Sequence, residues 1–361
     1  MKIILFLIMS LLGSEVLFAL EKAKQSNASE VSSEAVVFMY HRFGNSKYPS
    51  TNIRMDQFQA HLDYIQNNGF SVWKLSKIVR YLKEHKSIPP KTIALSVDDA
   101  YISTYTNAYP VLKKLGYPFT VFVNTHPVDV KSKSYMSWDQ MREMAQNGVE
   151  FSNHSLTHEY MLPSPSETKQ QWRERFKREV FLAQKRLQEE LGKSTNTNPK
   201  MFSYPFGEYN SDMAEILQEM GFIGIAQESG VMSSVSNFEA MPRYPMSERF
   251  GSIKSFALKI NTRALPIEKA SPFEPVLKHN NPPVLHLKFQ EHIGRIGCFL
   301  SSGEKIDFKW LSDTELEVYA KEPLKGPRER YTCTAPAGDG NWYWYSHMWI
   351  IPSKKRGYLH E

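Results

Sequence analysis

Cysteine is nearly absent from this chain, with two residues in 361, Cys298 and Cys333, both close to the C-terminus. That scarcity excludes a Cys-rich metal motif. In an exported protein, two thiols and no third suggest one disulfide, a cross-link contributing on the order of 3 to 4 kcal/mol in the chain-entropy picture. Two buried free thiols are the alternative. Also missing is any concentrated Lys/Arg block, so the formal charge of +6 and pI near 9.0 give general solubility and at most a peripheral attraction to an anionic cell envelope, with no nucleic-acid partner. An apolar fraction of 41% and a charged fraction of 23% are ordinary for a globular protein and exclude disorder as the default. The length admits one large domain or a large one with a small companion.

One long apolar run is present. Residues 1–20, MKIILFLIMSLLGSEVLFAL, have a single Lys, a run from Ile3 to Leu12 broken only by Ser10, and small residues at Gly13, Ser14 and Ala19. They read as a secretory signal peptide cleaved near Ala19, or as an uncleaved N-terminal anchor. Either places the rest of the chain outside the cytoplasm: periplasmic, secreted or membrane-anchored. A polar leader follows over residues 21–34.

From there short apolar runs alternate with amphipathic segments. AVVFMY (35–40), TIALSV (92–97), FTVFVN (119–124), VEFSN (149–153), MFSY (201–204) and FIGIAQ (222–227) have the composition of strands buried on both faces. Helices are expected over 55–69, 107–116, 137–148 and 167–190. Gly69, Gly116 and Gly148 sit as C-caps, and Ser137 with Gln140 forms a capping box. This order predicts an α/β parallel sheet over 35–270, open or closed as a barrel. A Pro- and Asn-rich linker over 271–283 then leads to a small all-β, sandwich-like domain over 284–361. In that domain the run Trp342, Tyr343, Trp344, Tyr345 fits strand core better than a carbohydrate-stacking platform.

The chemistry-bearing residues sit at expected strand ends. KTIALSVDDAYIS (91–103) ends an apolar run with adjacent carboxylates, Asp98 and Asp99, and FSNHSLTH holds His154 and His158 at a spacing that lets both rings face one point. Two neutral imidazoles and one carboxylate with an open position suit a divalent metal that polarises a carbonyl and activates a water as nucleophile. The Asp pair then has two jobs, Asp99 as metal ligand and Asp98 as general base. FSYPFGEY (202–209) offers the Phe206 backbone amide to an oxyanion, with Pro205 shaping the loop. FMYHRF places His41 at the end of the first strand, a candidate proton donor.

SVDDA, HSLTH and YPFG together resemble the motifs of the polysaccharide deacetylases, the NodB-homology or carbohydrate esterase family 4 group. VVFMYHRFG followed by MDQFQAHLDYIQNNGFSVWKLSKI is similar to the branch of exported bacterial poly-N-acetylglucosamine deacetylases. The resemblance spans about residues 35–260. It implies a distorted (β/α) barrel of the NodB type, Zn²⁺ or another divalent ion such as Co²⁺ or Ni²⁺, and hydrolysis of acetyl groups on a polysaccharide or oligosaccharide containing N-acetylhexosamine. By position it implies Asp98 as base, Asp99, His154 and His158 as metal ligands, Phe206 as the oxyanion amide and His41 as acid. Two departures stand out. Ala100 takes the place of the family's usual Gly, and the third motif lacks the Arg that orients the base in many members, a role for which Arg243 in MPRYPM is the candidate. His286 in PPVLHLKF superficially fits a late acid motif but falls beyond the linker.

Three other function classes remain open at this level. A non-catalytic carbohydrate-binding protein on the same scaffold would have no use for Asp98 beside Asp99. An esterase acting on O-acetyl groups, and a phosphoesterase or peptidase, share the metal chemistry, and only the family resemblance favours N-acetyl groups.

Overall fold

The structure, a computed structural model, describes residues 33–195 and 197–351, so the signal or anchor segment and nearly all of the leader lie outside the described residues. Six strands, β1 (Glu34–Tyr40), β2 (Thr92–Asp98), β3 (Thr120–Val123), β4 (Glu150–Asn153), β5 (Lys200–Ser203) and β6 (Phe222–Ile225), pair in that order and all in parallel. Each matches one of the apolar runs. Their alternate residues enter different cores, Val36 and Phe38 one and Ala35 and Val37 another, which is why the runs show no polar face. The period of two also puts Ser96 and Asp98 on the same face of β2 as Ala94.

Parallel strands need helical crossovers. The expected helices form over Met55–Asn67, Tyr109–Leu115, Trp138–Gln146 and Lys169–Leu191, with the Ser137/Gln140 capping box in place. Gly116 is the left-handed C-cap at φ 67, whereas Gly69 and Gly148 lie one residue beyond caps made by Asn68 and Asn147. Tyr109–Leu115 is preceded by a π-helical turn, Thr104–Ala108, and helices over Leu75–Lys83, Ser211–Glu219 and Ile253–Ile260 add to those expected. Among the described residues no helix is long and apolar enough to cross a membrane.

Between β6 and β1, residues 241–245 bridge both strands, beside Val231–Ser233, which pairs antiparallel with Glu34–Val36. Met241 bridges Ile225 in parallel, and Tyr244–Pro245 pairs in parallel with Phe38 and Met39. Arg243 therefore sits on the seam that closes the barrel.

Eight strands form the second sheet, in the order Arg263–Ala264, Trp342–Ile350, Arg328–Pro336, Gly297–Phe299, Lys305–Trp310, Glu315–Tyr319, Val284–Phe289, Ile267–Ser271. Lys305–Trp310 pairs with one neighbour through Lys305 and Ile306 and with the other through Asp307–Trp310, so it carries the path from one half to the other. Two strands of this sheet come from within the 35–270 stretch, and the Pro-rich segment after them is not a free tether: Val276 bridges Ile350, and the Leu277 amide donates to the Ile350 carbonyl at 2.9 Å. Cys298 and Cys333 face each other across paired strands and are joined, closing a sequence separation of 35 residues.

Trp342–Ile350 ties the two units together. Tyr343, Tyr345 and Trp349 pack into the second sheet's core, while Trp344, Met348 and Ile350 pack on the barrel's cores. At this junction Glu228 is buried, its carboxylate accepting from the Tyr209 hydroxyl at 2.7 Å. Burial pushes its pKa up from 4.5 to about 7, against the Tyr209 and Met348 hydrogen bonds and the Arg330 charge.

Two stability predictions arise here. Because the Glu228 carboxyl is raised, its protonated form is the one the fold accommodates; stability is lost as pH climbs from 4.5 through about 7, and Glu228→Gln flattens that slope in denaturant titrations. An unchanged slope would remove Glu228 as its source. Reduction of the Cys298–Cys333 bridge should cost about 3 to 4 kcal/mol and lower the thermal midpoint, while a Cys298→Ser/Cys333→Ser double variant should no longer respond to reductant.

Candidate active site

Asp98 is the last residue of β2, and the turn after it is strained. Asp99 and Ala100 both take positive φ, 76° and 55°, and Ala100 is fully buried. Eight non-glycine residues among those described have positive φ, and five of them, Asp99, Ala100, Ser155, His158 and Phe206, belong to this site. Such conformations cost on the order of 1 to 3 kcal/mol each and persist where the surroundings over-determine them.

Arg243 reaches Asp98 with both terminal nitrogens, Nη1 to Oδ1 and Nη2 to Oδ2, each at 2.8 Å. Ser203 Oγ donates to Asp98 Oδ2 at 3.0 Å and accepts from Arg243 Nη2 at 2.8 Å, Ser96 Oγ accepts from Nη1 at 3.0 Å, and the Ala226 carbonyl accepts from Nε at 3.1 Å. Both members of the ion pair are fully buried. Burial alone would raise the Asp98 carboxyl; the Arg243 charge, with those of His154 and His41, outweighs it and holds the group below the usual carboxylate range. Asp98 is thus kept ionised although its side chain is fully buried.

Beside it, Asp99 Oδ1 lies 3.2 Å from His154 Nε2 and 3.1 Å from His158 Nε2. The ligand-type atoms of these three residues fall within 4.8 Å of one another. His154 Nδ1 donates to the Ser203 carbonyl at 2.7 Å, which fixes the tautomer and turns the Nε2 lone pair toward Asp99. Asp99 Oδ1 and His154 Nε2 are buried with no hydrogen-bond partner, as expected of atoms that share a cation. The electrostatics agree. Burial lowers His154, but the Asp99 carboxylate 3.2 Å from Nε2 and the charge of Asp98 outweigh it and raise the ring's pKa, so the pocket favours positive charge at this point. His158, pushed down to about 4 chiefly by burial, keeps its lone pair free. His61 is the contrast: equally buried, it has both ring nitrogens engaged, by the Tyr40 hydroxyl at 3.1 Å and the Gly251 carbonyl at 2.8 Å.

The histidine loop is pinned from behind. Glu179 Oε2 accepts from the Leu156 and Thr157 amides at 3.2 and 2.9 Å, and Asn153 Oδ1 accepts from the Ser155 amide at 2.9 Å. Phe206, at φ 59, sets its ring 4.5 Å from that of His158. His41 directly follows β1, near enough to Asp98, Asp99 and His158 to bear on their electrostatics. His286 stands on the second sheet, half exposed, 3.5 Å from Glu317. Ser96, Ser203 and Glu179 escaped the sequence reading, since a Ser in an apolar strand and a Glu in a charged helix carry no distinctive pattern.

Residues 85–225 match the sequence model of the polysaccharide deacetylase family. The chain carries a polysaccharide deacetylase domain. Poly-beta-1,6-N-acetyl-D-glucosamine N-deacetylase of Escherichia coli K12 is 25% identical over 247 residues, covering 58% of this chain and 36% of that protein. The protein of the same name from Staphylococcus aureus MRSA252 is 24% identical over 221 residues, covering 58% of this chain and 73% of its own length. Among solved structures, IcaB from Ammonifex degensii superposes with a TM-score of 0.54 at 26% identity, over 64% of this chain and 98% of that one. The chain therefore spans little more than a third of the E. coli relative's length, and the family match ends before Arg243 and the second sheet. Family match and fold together mark a deacetylase hydrolase.

For the deacetylase domain, His154→Ala and Asp99→Ala should each abolish stoichiometric binding of Zn²⁺ or Co²⁺ by the purified protein, measured by elemental analysis after dialysis. Retention of a full equivalent by either variant would place the ion elsewhere.

Proposed function

We propose that this chain removes acetyl groups from the N-acetylated sugars of an extracytoplasmic polysaccharide, with poly-N-acetylglucosamine, named in its relatives, as the substrate class. The observation that carries this reading is the position of an ionised, fully buried Asp98 directly beside the Asp99, His154 and His158 cluster. A carbohydrate-binding protein gains nothing from such a carboxylate.

Zn²⁺, Co²⁺ or Ni²⁺ held by Asp99, His154 and His158 would supply Lewis acidity toward the amide carbonyl and a water of lowered pKa. Asp98 takes the proton of the attacking water. Arg243 and Ser203 keep its carboxylate aimed, and the Ser203 carbonyl holds His154 in the tautomer a ligand needs. The Phe206 amide supports the oxyanion as the carbonyl becomes tetrahedral. When the carbon–nitrogen bond breaks, His41 donates a proton to the departing amine, leaving acetate and a free glucosamine nitrogen. The signal-like sequence of residues 1–20 supports an extracytoplasmic site of action, with peripheral contact to the envelope.

The decisive assay is acetate release from N-acetylglucosamine oligomers, peptidoglycan and acetylated xylan, before and after chelation and Zn²⁺ restoration. Metal-dependent release from the N-acetylglucosamine oligomers is expected, and Asp98→Asn should lower turnover about 10²- to 10⁴-fold while retaining bound metal. Release confined to acetylated xylan would convert the reading to an O-acetyl esterase, and a fully active Asp98→Asn would remove Asp98 as the base.

A further inference from the structure

The family match leaves the second sheet without a role, yet that sheet touches the site. Arg328, the first residue of the strand Arg328–Pro336, donates from Nη1 to the Phe206 carbonyl, and its Nε lies 3.5 Å from Glu208 Oε1. Both partners sit on the turn that follows β5, whose middle residue holds a left-handed φ of 59° with its ring against His158. Two residues along the same strand, Arg330 donates to Ser229 Oγ at 3.2 Å, and the Ser346 hydroxyl, from the adjacent strand, donates to the Ser229 carbonyl. Ser229 belongs to the loop whose Ala226 and Glu228 carbonyls accept from the Nε and backbone amide of Arg243, at 3.1 and 2.8 Å. The second sheet thus grips two loops: one bears the oxyanion candidate, and the other seats the arginine that aims Asp98.

We infer that the second sheet is part of the active-site scaffold and that Arg328 is a positioning residue, holding the Phe206 turn so that the Phe206 amide faces the reacting carbonyl. The inference rests on the deacetylase reading above. A guanidinium suits the task because its fork serves a carbonyl and a carboxylate at once, whereas an ammonium is a single point of charge. Without it, the strained Phe206 backbone loses one of the contacts that oppose its relaxation to negative φ, leaving the Gly207–Tyr204 and Glu208–Pro205 backbone hydrogen bonds and the His158 ring contact.

The test compares full-length wild type with Arg328→Ala, Arg328→Lys and, as a control for charge loss in the same unit, Arg295→Ala, in the connection that precedes the strand Gly297–Phe299. Readouts are kcat and KM for acetate release from N-acetylglucosamine oligomers, metal content, thermal midpoint, and amide hydrogen exchange over residues 204–208. Arg328→Ala should lower kcat on the order of 10- to 100-fold with KM, metal content and midpoint nearly unchanged, and should speed exchange in the turn. Arg328→Lys should recover part of kcat, and Arg295→Ala should match wild type. Wild-type kcat in Arg328→Ala, or an equal loss in Arg295→Ala, overturns the inference. Should wild type itself release no acetate, the deacetylase reading falls on its own, and exchange still decides the structural claim: faster exchange in Arg328→Ala upholds Arg328 as the clamp of this turn, and unchanged exchange overturns it.

Discussion

A carboxylate and a guanidinium, each with no solvent exposure, meet between β2 and the seam segment, and much of the barrel is arranged around them. Removing two charges from water costs several kcal/mol per ion, offset only when geometry is good and the remaining hydrogen-bonding capacity is filled. Here it is filled by Ser96, Ser203 and the Ala226 carbonyl. Because Arg243 rides on the strand-like segment that joins β6 to β1, the interaction that keeps Asp98 ionised is also one that draws the barrel closed. Catalytic readiness and barrel closure are therefore coupled, and loss of the arginine would leave an uncompensated charge in the core as well as a misaimed base.

The neighbouring cluster shows the opposite condition. Asp99 Oδ1 and His154 Nε2 are buried without a hydrogen-bond partner, while the backbone is held at positive φ at Asp99 and at Ser155, next to His154. Polar satisfaction is complete for His61 and incomplete for His154, though both rings are buried. Ala100 sharpens the point: at φ 55° a methyl group is tolerated where family members usually carry none, so the turn geometry is enforced by its surroundings and not by the residue's own preference. The strain and the orphaned atoms both become intelligible if a cation completes the centre.

The strand pattern was legible because a parallel strand buried on both faces has to be almost entirely apolar, and six short runs of that kind are hard to read otherwise. The Asp pair alone reads as an ordinary turn, and it stood out because a His pair at metal-ligand spacing ends another apolar run. Arg243 was a candidate on family grounds alone; its route to Asp98 depends on a long-range seam that local pattern does not encode. Ser203 and Glu179 were invisible for a related reason, since each acts through a single tertiary contact. The helix over Leu75–Lys83 has a strongly amphipathic sequence but carries no motif, the strand Arg263–Ala264 is only two residues long, and Ile267–Ser271 is largely polar and borders a Pro-rich stretch.

The run Trp342 to Tyr345 shows where such reading stops. Its composition is that of a strand, and a strand with large apolar groups at every position must cover both faces. Periodicity alone therefore requires two partners, one for Tyr343 and Tyr345 and another for Trp344, with Trp342 at the exposed end. It does not say what the second partner is. In the structure that partner is the barrel, where Trp344 meets Tyr244 at 5.6 Å, one residue from Arg243. A strand whose two faces serve two cores cannot shift by one residue without exchanging them, so the second sheet is registered on the barrel to within a single pleat. The Arg328 and Arg330 side chains on the adjacent strand inherit that register, which is how a sheet outside the family match comes to place guanidinium groups against active-site loops.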